Sequence, residues 1–134
     1  MPVEKTQEFK LVSSEDVVLV RHAVRQWAAQ LGFSLVDQTK LVTAASELAR
    51  NAVIYGGGGV ARIEGLLNGR RQGLKVTFED NGPGIADVDL AMKDGYTTGG
   101  GLGLGMGGAK RLTDEFGVQS KVGEGTQVWF IRWK

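Results

Sequence analysis

The chain has no cysteine, a single histidine and only two prolines. Each shortage removes a class of function. Without cysteine there is no disulfide, no thiolate zinc site and no cysteine nucleophile. With His22 alone, a Ser-His-Asp triad would have to be built around that residue, and no nucleophile-elbow pattern accompanies it. The formal net charge of +1 gives no field for capturing nucleic acid or an anionic membrane, so neither is expected as a partner. No apolar run nears the roughly eighteen residues of a membrane span. The start, Met1-Pro2-Val3-Glu4-Lys5, lacks an apolar segment behind a basic one, so a cytoplasmic location is expected.

Glycine is abundant by contrast, at 21 of 134 residues, and it clusters at 56–59 and 99–108. Such clustering points to local function rather than to a low-complexity chain. The length suits one domain over residues 1–134 with a single core. The 42% apolar and 23% charged content is ordinary for a globular protein.

A first strand is expected at 6–12. Ser13 and Asp16 then have capping-box spacing, and Val17, Val20, Val24, Trp27, Ala28 and Leu31 recur at helical spacing up to Gly32. A second helix, capped by Ser34 or Asp37, carries the stripe Leu41, Ala44, Ala45, Leu48 and Ala52 and stops near Tyr55, before four glycines. Strands are predicted at 60–67 and 73–80, around the turn signal Asn68-Gly69, with Arg70-Arg71-Gln72 lengthening the loop beyond the minimal one. A loop follows from Gly82 to about Gly103, with a helical turn near 88–93. A third helix is expected from about Gly105–Gly108 to Glu115, and two last strands at 116–122 and 126–133. The order β-α-α-β-β-α-β-β predicts an α+β fold: a two-layer α/β sandwich with a mixed sheet of about five strands and about three helices on one face.

Four segments carry chemistry. Glu47 and Asn51 lie one helical turn apart on one face. The carboxylate can act as a general base, and the amide oxygen suits Mg²⁺ without adding charge against phosphates. A solvated pair on an exposed helix face would read the same way. Asp80 ends an amphipathic strand and leads into Asn81-Gly82-Pro83-Gly84. It can accept a hydrogen bond from the exocyclic amine of adenine, with Gly82 and Gly84 allowing close approach of the base. A plain turn explains these residues too. The tract Gly99–Gly108 offers amides without side chains to phosphate oxygens, and its Leu102, Leu104 and Met106 are unlike a linker. It lacks the Gly-Lys-[Ser/Thr] ending of a P-loop. Thr126, after Gly123-Glu124-Gly125, can bring a hydroxyl near the base or serve only the hairpin.

These residues, in this order, resemble the GHKL ATPases, the superfamily of gyrase, MutL, histidine kinases and the small bacterial anti-sigma serine kinases. The resemblance covers nearly the whole chain. It implies that Glu47 is the catalytic base, Asn51 the Mg²⁺ ligand, and Asp80, Gly82, Gly84 and Thr126 the adenine pocket. It further implies that Gly101, Leu102, Gly103, Leu104 and Gly105 belong to a lid over the triphosphate of ATP. The phrases Ser46–Asn51, Asp94–Thr98 and Lys110–Phe116 look like the stressosome switch kinases within that superfamily. That likeness implies an ATP-dependent protein serine/threonine kinase acting on a STAS-domain scaffold protein, then released to activate a PP2C-type phosphatase. The alternative is an anti-sigma factor kinase that binds a sigma factor and phosphorylates a STAS antagonist. Those proteins usually carry an arginine in the lid, whereas here no Arg or Lys falls between Lys93 and Lys110.

Overall fold

The computed structural model describes residues 3–54, 56–82 and 106–134. The elements run β1 (Val3–Leu11), α1 (Ser14–Gln30), α2 (Leu35–Ile54), β2 (Gly59–Asn68), β3 (Arg71–Asp80), α3 (Met106–Arg111), β4 (Glu115–Lys121) and β5 (Gly125–Trp133). The strands form one sheet in the order β1-β2-β3-β5-β4.

Every strand pairing is antiparallel, which corrects the mixed sheet expected from the element order. The reason lies in the connection between β1 and β2. A single crossover helix would return the chain to start a parallel strand. Here α1 runs away from the end of β1 and α2 runs back, so Gly59 begins β2 opposite Leu11, the last residue of β1.

Local signals set the helix ends. Asp16 accepts from the Val12 and Ser13 amides at 2.8 and 3.1 Å, satisfying donors that the start of α1 leaves over. The Ser34 hydroxyl accepts from the Asp37 amide at 3.2 Å, which makes Ser34 the cap of α2. The stripe Leu41, Ala44, Ala45, Leu48 and Ala52 is buried as expected, together with Ala49. It packs with Val20 and Val24 of α1 against Ile63, Val76, Phe78 and Phe130 of the sheet. Deleting a large aliphatic side chain such as Leu41 from such a core costs about 2–5 kcal/mol.

Two further expectations are corrected. The β2–β3 hairpin is the minimal kind, since Asn68 pairs with Arg71. The loop is Gly69-Arg70 alone, with Gly69 at φ +62, as a two-residue turn with glycine first requires. The third helix ends at Arg111, not Glu115. Asp114 has already joined the sheet by donating its amide to the Ile131 carbonyl at 2.9 Å. The loop expected after Gly82, with its turn near 88–93, lies outside the described residues.

The helices cover one face of the sheet. On the other face, Lys75 sits over the Trp129 ring and Arg71 over the Trp133 ring, each 5.1 Å from the centroid. Arg62 bridges Glu8 and Glu79 across three strands. Among the described residues no helix is long and apolar enough to cross a membrane.

Candidate functional site

At one end of the sheet the register places Leu11, Gly59, Asp80, Thr126 and Ser120 in a single row across all five strands. Asp80 follows Phe78 and Val76, both core residues, at the period-2 spacing that sends side chains to one face. Its carboxylate therefore lies under the helices.

The end of α2 meets it there. Gly56 donates to the Asn51 carbonyl at 3.1 Å and Gly58 to the Ala52 carbonyl at 2.8 Å, which folds the chain out of the helix and onto β3. A methyl built on Gly56 would stand 2.5 Å from Asp80 Cγ and 2.7 Å from its Oδ2. Gly82 donates its amide to Asp80 Oδ1 at 2.9 Å, and a methyl there would strike the Gly56 backbone at 2.7 Å. Gly56, Asp80 and Gly82 thus interlock, and only glycine fits at the first and third positions.

Burial pushes the Asp80 carboxyl above its ordinary range, while the Gly82 and Thr126 backbone amides pull it back. A carboxylate held in this way gains from a donor that replaces lost water. Thr126 stands directly opposite it and Ser120 opposite Thr126, with the two hydroxyl oxygens 2.8 Å apart. An open concavity of about 490 Å³ at this end is lined by Asp80, Asn81, Ser120, Gly125 and Thr126, and runs on to Glu79 and Gln127.

Glu47 and Asn51 are half-buried on α2, flanking the buried Leu48 and Ala52. Asn51 is tied to the Asp80 end through the Gly56 amide, and Glu47 is one turn further along. Neither is among the described residues that line the concavity. Among the described residues no three His, Cys, Asp or Glu side chains gather as a metal cage. Mg²⁺ bound with a nucleotide takes few protein ligands beside the phosphates, and the amide oxygen of Asn51 has the chemistry to be one. Gly84 and Gly101, Leu102, Gly103, Leu104 and Gly105 lie outside the described residues. Of the same tract, Gly107 is buried in α3, next to Ala109 in the core.

The sequence reading missed Gly56 and Ser120. Gly56 was visible only as part of a helix-stopping run. Ser120 becomes legible once the hairpin is counted outward from Gly123, because that register sets it opposite Thr126.

The sequence profile of the histidine kinase-, DNA gyrase B- and HSP90-like ATPases matches residues 36–134, which include α2 but for its first residue, Asp80 and the Thr126 turn. The chain belongs to this family. Relatives of this ATPase include the serine/threonine-protein kinase RsbT of Bacillus subtilis, 46% identical over 92% of this chain and 93% of the relative. An anti-sigma F factor of Clostridium kluyveri is 32% identical over 86% of this chain and 84% of its own. The solved RsbU and RsbW domains of a Mycobacterium tuberculosis protein superpose with a TM-score of 0.61 at 20% identity. This chain is covered over 97% of its length and spans 33% of that longer one, a likeness of fold alone. The family match and the identity to RsbT make this ATPase an enzyme of the serine/threonine-protein kinase class.

Proposed function

We propose that the protein is a switch kinase that transfers the γ-phosphate of ATP to a serine of a STAS-domain stressosome scaffold protein. Released from that substrate, it then binds and activates a PP2C-type phosphatase. The observation that carries the nucleotide reading is the half-buried Asp80 carboxylate interlocked with Gly56 and Gly82 and aligned with Thr126. It offers a fixed acceptor to the exocyclic amine of adenine, beside the open concavity of about 490 Å³. The 46% identity to RsbT, against 32% to the anti-sigma F factor, favours the switch kinase over a sigma-factor inhibitor.

In this reading the phosphates extend from Asp80 toward α2 and the glycine tract 101–105. The substrate serine Oγ forms a bond to the γ-phosphorus as the bond to the bridging oxygen of ADP breaks, and Glu47 takes the hydroxyl proton. Asn51 holds the Mg²⁺ that screens phosphate charge. Most of the rate comes from positioning and charge neutralisation. Incubation with γ-labelled ATP and purified STAS-domain proteins tests the proposal. The expected result is phosphoserine on one of them and none with the Glu47→Ala variant. Stable capture of a sigma factor, with no activation of a phosphatase, would select the anti-sigma reading.

A further inference from the structure

Among the described residues β1 and β4 each pair with one strand, so they are the two edges of the sheet. An edge strand offers backbone groups to any strand that comes alongside, and proteins guard such edges with bulges, inward-facing charges and charges along the strand. β1 carries all three. Its register with β2 shifts between Val3 and Lys5, Lys5 lies with Trp27 and Gly65 on the helix-covered side, and Glu8 and Lys10 punctuate its length. β4 has none of them along its middle. It keeps an unbroken register with β5, and Phe116, Gly117, Val118, Gln119 and Ser120 are uncharged. Phe116 and Val118 are only partly covered by the core. The two charges, Glu115 and Lys121, stand at the ends, are exposed and differ in sign. The period-2 spacing puts both on the face of Gly117, which lies under the Trp129 ring on the side away from the helices.

We infer that the β4 edge pairs with the β4 edge of a second copy of this chain, antiparallel about a two-fold axis at Val118. A contact of one surface with itself needs a strand that complements its own reverse. β4 does so. With Val118 opposite Val118, Glu115 of each copy faces Lys121 of the other, and symmetry makes the pair twice. Opposite charges across neighbouring strands fix a register; a slip of two residues sets Glu115 opposite Gln119 and loses both pairs. Existing bonds leave capacity for this contact. One Glu115 oxygen accepts from Trp133 Nε1 at 2.7 Å, which leaves the other. Lys121 meets Glu124 at 3.5 Å with an ammonium that has three protons. Paired in this way, the two sheets join into one, and Phe116 and Val118 lose exposure. β4 also lends Gln119 and Lys121 to the concavity beside Asp80, so the contact runs along its rim.

Sedimentation equilibrium of the full chain measures the dimer dissociation constant. The wild type is expected to dimerise as concentration rises. Glu115→Lys and Lys121→Glu each turn two attractions into two repulsions, which is expected to weaken the dimer roughly tenfold or more. The double variant restores opposite charges across the axis and is expected to recover most of the lost affinity. Hydrogen exchange locates the contact: β4 amides are expected to exchange more slowly at high concentration, with those of β1 unchanged. A wild type that stays monomeric at every soluble concentration, a dimer indifferent to both single reversals, or a double variant weaker than either single one would overturn the inference. So would slowing at β1, or slowing at β4 only when a STAS-domain protein is added, which would make the edge a substrate dock.

Discussion

Gly56 and Gly57 are adjacent glycines required for different reasons, and the difference is measurable. Gly56 does not have a positive φ, so alanine meets no backbone penalty there. Its methyl would instead stand 2.5 Å from Asp80 Cγ and 2.8 Å from the Ala52 carbonyl oxygen. Carbon contacts settle at about 3.5–4.0 Å, so the carboxylate must retreat by about 1 Å. The Ala52 carbonyl cannot yield, because it belongs to the helix backbone and accepts from Gly58. Overpacking of this kind costs about 1–3 kcal/mol, and a chain of this size loses roughly 3–5 °C of melting temperature per kcal/mol. On the proposed adenine contact of Asp80, moving it also removes a charge-assisted hydrogen bond to the base, worth about 1.5–3 kcal/mol, so ATP is expected to bind Gly56→Ala about 10- to 150-fold more weakly.

Gly57 is the control. It has φ +75 and nothing within 4 Å of a built methyl. Alanine there costs about 1–2 kcal/mol through left-handed backbone strain, with ATP affinity unchanged. Calorimetric titration with ATP, paired with thermal melts of both variants, separates the two effects. Gly56→Ala binding ATP as tightly as the wild type, or both variants losing affinity equally, would refute the wedge between helix end and carboxylate.

Other outcomes follow from the same geometry. Glu47→Gln should keep ATP affinity within about twofold while slowing phosphoryl transfer by roughly 10²- to 10⁴-fold, read by single-turnover phosphorylation. Burial holds the folded Asp80 carboxyl above its ordinary range, so the folded chain binds that proton more tightly than the unfolded chain. Its charge therefore costs stability above the folded pKa, and the cost disappears as pH falls toward the unfolded value. Asp80→Asn should thus melt higher than the wild type at neutral pH, with the gap closing on acidification, and should bind ATP poorly. Asp37 has the opposite sign. The Arg132 guanidinium, 2.6 Å away, holds its carboxyl below the usual range, so the pair stabilises above the unfolded pKa and is lost as pH falls through the folded one. A double-mutant cycle on Asp37→Asn and Arg132→Gln should give a coupling of about 1 kcal/mol at neutral pH, vanishing in acid.

Local signals made most elements legible. The period of Val20, Val24 and Ala28, the Asp16 cap, the four-glycine stop after α2 and the alternation of Leu74, Val76 and Phe78 each rest on residues close in sequence. Strand direction did not show, although the two helices between β1 and β2 were both expected, because it depends on which strands become neighbours in the sheet, a long-range pairing that no local signal encodes. The Gly69-Arg70 turn was missed because Arg71 and Gln72 look like loop residues, yet they pair with Asn68 and Leu67. The site was legible where its residues carry chemical groups, as at Asp80 and Thr126. It was illegible where the contribution is an absent side chain, as at Gly56, or a partner fixed only by register, as at Ser120. Glu47 and Asn51 were singled out by spacing, and both lie half-buried on α2.

The most direct measurement is a crystal structure of the protein with ADP and Mg²⁺. The account predicts the adenine amine within hydrogen-bond distance of the Asp80 carboxylate, the Thr126 oxygen at the same base edge, and the Asn51 amide oxygen on the metal with Glu47 beside the terminal phosphate. A nucleotide bound at the opposite end of the sheet, by the Gly69-Arg70 turn, or one seated at Asp80 with Glu47 and Asn51 turned to bulk water, would contradict it.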